Sequence, residues 1–232
     1  MGGAHSDLTT ALQKGDPSAL RAAIVAYSIK ADTVKDSSGN TVLCMAAARG
    51  NVAIADVLLD AGEAAVNGPP GSATTPLIEA AKSGHLPMIE FLCGHGARLN
   101  LTDSLGCTAM HHAAIHGHID VMYDLAGRGA GISMPNNLKY TPLHKAAKYG
   151  QLDAVNALDV LGAQLYATTD AGETPLDIAL ACGRTLVVCF LKEAMERRPV
   201  RQYFDMMHPT PPFIRAYRVR GAFHNTVVCT CS

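Results

Sequence analysis

A segment repeated five times constrains this chain more than any other feature. Thr141-Pro142-Leu143-His144 has counterparts beginning at Thr41, Thr75, Thr108 and Thr174, so successive starts lie 34, 33, 33 and 33 residues apart. A second landmark keeps the same beat: Gly15, Gly50, Gly84, Gly117, Gly150 and Gly183 each follow a small-residue stretch and precede an apolar one. Each unit reads as a turn, a short helix, a glycine turn and a second helix. One such unit buries too little apolar surface to stand alone, so stacking must supply the core. The pattern predicts an all-α solenoid of stacked helix-turn-helix units.

The Thr141 unit shows how the start of a helix is encoded locally. Thr141 supplies a hydroxyl cap, Pro142 occupies the first helical position, where no N–H is needed, and Leu143 points inward. Ala146 and Ala147 allow neighbouring helices to approach closely, and Gly150 can take the left-handed conformation that ends the helix. Leu152, Val155, Leu158 and Leu161 are expected to build the second helix.

These residues resemble the ankyrin repeat, whose pattern combines Thr-Pro-Leu-His, a following Ala-Ala, a glycine turn and a Gly-Ala close. Thr41-Val42-Leu43-Cys44, Thr75-Pro76-Leu77-Ile78, Thr108-Ala109-Met110-His111 and Thr174-Pro175-Leu176-Asp177 are degenerate copies. The resemblance spans about residues 7–196, as an N-terminal cap and five repeats of which the last closes the stack. Leu8 to Lys14 and Pro17 to Tyr27 form the helix pair of that cap. The resemblance also implies β-hairpin fingers between units. Gly39, Gly106 and Gly172 occupy their turns, but Ala73 and Lys139 replace the glycine in two of them, so those two fingers are expected to be distorted. Gly68-Pro69-Pro70-Gly71 forms an unusual loop before the Thr75 repeat.

An ankyrin fold implies a protein-binding surface on the hairpin tips and the concave face of the first helices, with no reaction built in. Mapped onto this chain, that surface carries one ladder of Met45, Glu79, His112, Lys145 and Ile178, and a second of Arg49, Ser83, His116, Tyr149 and Cys182. Finger positions are Asn40, Thr74, Cys107, Tyr140 and Glu173. The partner-binding residues are expected to be Arg49, Glu79, His112, His116, Tyr140, Lys145, Lys148 and Tyr149. Their aromatic area and cations suit an acidic partner segment with an apolar anchor. His112 and His116 stand four apart on one helix face, but with no carboxylate or cysteine at matching geometry no zinc site is expected. His111 fills the usual histidine slot, where a capping hydrogen bond is expected.

The two ends carry separate signals. Met1-Gly2-Gly3-Ala4-His5-Ser6 fits the N-myristoylation pattern, with Gly2 as acceptor and Ser6 at the hydroxyl position. Cys229-Thr230-Cys231-Ser232 has the spacing of a farnesylation box, although Thr230 and Cys231 replace the usual aliphatic pair. Residues 197–232 hold six Arg and one acid, a charge of +5 that leaves −6 for residues 1–196 of a chain whose net charge is −1. This basic, proline-containing tail suits an acidic membrane surface, and a basic patch makes attachment by one myristoyl chain durable. It suits an acidic protein partner equally well. Nucleic acid is disfavoured, because the Arg clusters are small and the body is acidic.

Enzymatic motifs are missing: there is no phosphate loop, nucleophile elbow, His-Glu metalloprotease motif or conspicuous carboxylate pair. No cofactor is expected, and the chain is expected to be a monomer. Seven scattered Cys point to a reducing compartment. With neither a membrane-length apolar run nor a secretory signal, a cytoplasmic location is expected, peripheral to membrane if lipidated. The expected role is an adaptor or regulator. The alternative from another class is a soluble, noncatalytic regulatory subunit of an enzyme assembly.

Overall fold

The structure, a computed structural model, describes residues 10–207 except 13, 28–30, 37–38, 61–63 and 70–71, and at 27, 31 and 198–207 it describes the backbone only. Eleven α-helices occur among the described residues. Helix α1 (Pro17–Tyr27) belongs to the N-terminal cap and is capped by Asp16, whose Oδ1 accepts the Ser18 and Ala19 N–H groups at 2.9 and 3.1 Å. A 3₁₀ turn (Ala31–Thr33) follows. Each repeat then contributes a pair: α2 (Val42–Ala48) with α3 (Val52–Asp60), α4 (Pro76–Ser83) with α5 (Leu86–Gly94), α6 (Ala109–His116) with α7 (Ile119–Gly127), α8 (Pro142–Tyr149) with α9 (Leu152–Val160), and α10 (Pro175–Ala181) with α11 (Thr185–Met207). The chain forms two compact units, Met1–Lys192 and Glu193–Ser232, and α11 contributes to both. In the second unit, an Arg197–Glu193 ion pair of 3.9 Å lies along the exposed helix face.

The first helices, α2, α4, α6, α8 and α10, form one row and pack on each other more densely than the second helices do. Alanine explains this. Ala46, Ala47, Ala80, Ala81, Ala113, Ala114, Ala146, Ala147 and Ala179 are all buried at 1% exposure or less, so backbones meet across methyl groups. The second row is built from larger side chains, including Ile54, Leu58, Met88, Leu92, Met122, Leu125, Val155 and Leu158. Small residues in one row and large ones in the other bend the stack toward the first helices. Leu152 and Leu161 lie half-buried at the ends of α9, and Ala154 and Ala157 take core positions beside Val155 and Leu158.

The glycine turns have a second requirement beyond backbone conformation. Gly84 and Gly117 end α4 and α6 at φ of 75° and 73°, in the left-handed region. A Cβ on Gly84 would also meet the His118 ring at 2.5 Å. That ring lies there because His118 Nε2 approaches the Lys82 carbonyl in the last turn of α4, at 3.2 Å. The contact recurs along the stack, with His85 on Ala48, Gln151 on Ile115 and Arg184 on Lys148. Each repeat thus caps the open carbonyl end of the helix before it.

Hairpin fingers were expected, but no strand occurs among the described residues, and one isolated bridge joins Lys35 and Thr41. Four of the fingers are closed by a pair of backbone bonds spanning five residues. In each of 36–40, 103–107, 136–140 and 169–173 the first N–H donates to the last carbonyl, and the fourth N–H donates back to the first carbonyl. Other backbone groups bond to the preceding finger: Ser104 N–H donates to Ala73, Asn137 to Leu105 and Asp170 to Leu138. Hydrogen bonding therefore runs along the row of fingers and leaves no ladder across a hairpin. The Lys139 finger, expected to be distorted, is regular. Lys139 itself adopts φ 59°, held by Asn136, whose Oδ1 accepts the Leu138 and Tyr140 N–H groups at 3.1 and 2.8 Å.

Candidate functional site

The side chains that could meet a partner are positioned by two buried histidines. His111 Nδ1 accepts the Thr108 N–H at 3.1 Å, so its proton resides on Nε2, which donates to the Tyr140 carbonyl of the next finger at 2.9 Å. His144 repeats the arrangement, with Thr141 N–H at 3.1 Å and the Glu173 carbonyl at 3.2 Å. Burial holds both rings below the ordinary histidine range, His111 at about 4. The capping bond expected of His111 is present, and the opposite ring nitrogen fastens the 136–140 finger to α6, as His144 fastens the 169–173 finger to α8.

Tyr140 is therefore fixed at both ends. Its carbonyl is held by His111 and its ring lies edge-on to His144, with centroids 5.8 Å apart. Lys145 Nζ sits 4.9 Å and Lys148 Nζ 5.9 Å from the centroid of the Tyr140 ring, so one aromatic face organises two cations. Neither lysine forms an ion pair with a carboxylate among the described residues. Tyr149, half-exposed at 51%, stands at the end of the same helix.

The remaining expected residues fall into a different group. Arg49 and Glu79 line a cleft of about 420 Å³ with Asp36 and Met45. Glu79 also borders an adjoining cleft of about 260 Å³ with Thr74, Lys82, Asp103 and His112. This half of the face carries mixed charge, whereas the Tyr140 end is basic. His116, exposed on α6, stacks on His118 at 6.0 Å between centroids, and its Nδ1 lies 3.0 Å from the His112 carbonyl. It is therefore not poised to share a ligand with His112. Gly2 and Cys229, the expected lipidation sites, lie outside the described residues.

Sequence reasoning missed two parts of this surface. Leu105 and Leu138, at consecutive finger tips, are 64% and 61% exposed, and the Asn137 N–H donates to the Leu105 carbonyl between them. Isolated leucines in loops look like core residues in a sequence, and only the finger-to-finger bonding shows that they form one apolar edge. The second part is a correction. His112 was expected to have no carboxylate or cysteine near it, yet its Nε2 donates to Asp103 Oδ2 at 2.8 Å, and the ligand atoms of Asp103, Cys107 and His112 lie within 4.8 Å of one another. The finger folds back over the start of α6, which brings together positions that look unrelated in sequence. Burial pushes the Cys107 thiol above its ordinary range.

Among the described residues no helix is long and apolar enough to cross a membrane. The family model for ankyrin repeats, in three copies, matches residues 8–103, 65–137 and 110–200. The chain is also 30% identical, over 82 residues, to the ankyrin repeat and KH domain-containing protein mask-1 of Caenorhabditis elegans; the match covers 35% of this chain and 3% of that protein. Ankyrin repeats are protein-interaction modules. The repeat period, the helix pairs, the capping histidines and the family model agree, and the chain belongs to the ankyrin-repeat family.

Proposed function

We propose that this chain is an adaptor or regulator that binds an acidic segment of another protein, anchored by an apolar side chain, across the face formed by the first helices and fingers. The observation that carries this reading is the placement of Lys145 and Lys148 over the Tyr140 ring, without carboxylate partners among the described residues and beside the exposed Leu138. A partner carboxylate supplies the missing counter-charge, and Leu105 and Leu138 accept the apolar anchor. Tyr149 and His116 extend the contact along the exposed ladder, and Arg49, Glu79 and His112 read a flanking segment of mixed charge. Attachment to a membrane surface is the second half of the proposal. It rests on Gly2 in its myristoylation motif and on the basic tail 197–232, with Cys229 as a further acceptor.

One preparation tests both halves: the full chain and its Lys145→Glu, Lys148→Glu variant, expressed in the native cell type. The wild type is expected to carry a myristoyl group on Gly2 by intact mass, and to recover partners that the variant binds at least about tenfold more weakly. Equal recovery by the variant places the interface elsewhere, and an unmodified Gly2 removes the membrane half.

A further inference from the structure

The cluster of Asp103, Cys107 and His112 is not part of the repeat pattern. The same three positions hold Asp36, Asn40 and Met45 in the Thr41 repeat, Asn136, Tyr140 and Lys145 in the Thr141 repeat, and Thr169, Glu173 and Ile178 in the last. Only the Thr108 repeat places a carboxylate, a thiol and an imidazole together, with all three ligand atoms within 4.8 Å of one another. The finger turn uses only one carboxylate oxygen: Asp103 Oδ1 accepts the Leu105 and Cys107 N–H groups at 2.9 and 2.8 Å. Oδ2 is directed instead to His112.

A second, independent observation lies in the same cleft. Thr74, the finger residue of the preceding repeat, is 7% exposed, and its Oγ1 is buried without a hydrogen-bond partner among the described residues. It lines the cleft together with Asp103 and His112. A buried hydroxyl left unsatisfied is costly, and its presence in a cleft lined by two of the three ligating residues, Asp103 and His112, points to a polar occupant.

We propose that Asp103 Oδ2, Cys107 Sγ and His112 Nε2 bind a zinc ion, with a water at the fourth position hydrogen-bonded to Thr74 Oγ1. One oxygen, one nitrogen and one sulfur ligand suit zinc and disfavour magnesium and calcium, which take oxygen ligands. Binding replaces the 2.8 Å His112–Asp103 hydrogen bond. The imidazole proton moves to Nδ1 through solvent, the Cys107 thiol releases its proton to water, and the metal gains the thiolate. The ion fastens the finger to the start of α6 in the middle of the partner-binding face.

The test uses the full chain stripped of metal, titrated with cobalt(II) as a spectroscopic probe and then with zinc(II). One equivalent of cobalt is expected to give a thiolate-to-cobalt charge-transfer band that zinc abolishes, and zinc is expected to raise the melting temperature near stoichiometry. Cys107→Ser is expected to remove the band. His112→Ala and Asp103→Asn should each weaken binding at least about tenfold, and Cys182→Ser should leave it unchanged. Asp103→Asn keeps the finger intact, because Asn136 forms the same turn in the next repeat. The His112 side chain is 16% exposed, less enclosed than Cys107, so its variant provides a reading that does not depend on the buried cysteine. No thiolate band in the wild type, or a band that persists in Cys107→Ser or is unaffected in His112→Ala, overturns the proposal.

Discussion

Replacing Gly106 by alanine is expected to destabilise the repeat stack by about 3 kcal/mol, against about 1 kcal/mol for the same change at Gly172. Both glycines sit at the fourth position of a finger with positive φ, 77° and 78°, so both variants bear the left-handed penalty. Their surroundings differ. A Cβ at Gly172 meets nothing within 4 Å, whereas one at Gly106 strikes the Asn137 side chain and comes within 2.6 Å of the Asn137 backbone nitrogen. Backbone cannot rotate away as a flexible side chain can, so the two fingers must separate and the Asn137 to Leu105 hydrogen bond of 3.2 Å is strained or lost. Chemical denaturation of both variants measures the difference. Equal losses would mean that the fingers do not pack as tightly as described.

Acid is expected to destabilise the stack well before its carboxylates are fully protonated. His111 is neutral in the folded chain because burial holds it at about 4, against an ordinary 6.5. Between those values the unfolded chain binds the proton and the folded chain does not, so stability rises with pH. The contribution is fully present above about 6.5 and falls by about 3 kcal/mol as the pH drops to about 4. His144 is shifted in the same direction for the same reason and adds to the loss. Protonation also breaks the cap of α6, since a charged His111 can no longer accept the Thr108 N–H, while its Nε2–H still donates to the Tyr140 carbonyl. An NMR titration should find the His111 ring neutral at pH 5.5. A ring that titrates near 6.5 would contradict its burial and its double hydrogen bond.

The sequence carried the repeat frame because the rules that set it are local. A threonine cap and a terminal glycine recur at one period in all five repeats, with paired alanines in four and a proline at the first helical position in three, and each acts within a few residues. The finger of Lys139 was misread because a glycine was taken as required, when the Asn136 side chain holds a lysine in the same conformation. The candidate site was less legible. Tyr140, Lys145 and Lys148 could be placed on one face by counting positions, but their stacking depends on how the next helix and finger meet. His112 was paired with His116 because helix spacing suggested it, while its actual neighbours, Asp103 and Cys107, reach it through the fold of a finger that has no periodic signature.

The central claim is that partners meet the first helices and fingers rather than the second helices. A photoactivatable phenylalanine analogue placed at Tyr149, and separately at the exposed Asp153 of α9, tests it most directly in cells. Crosslinks to partner proteins from position 149 and none from position 153 are the result expected from the geometry of the Tyr140 cluster. Crosslinks from position 153 with none from position 149 would contradict it.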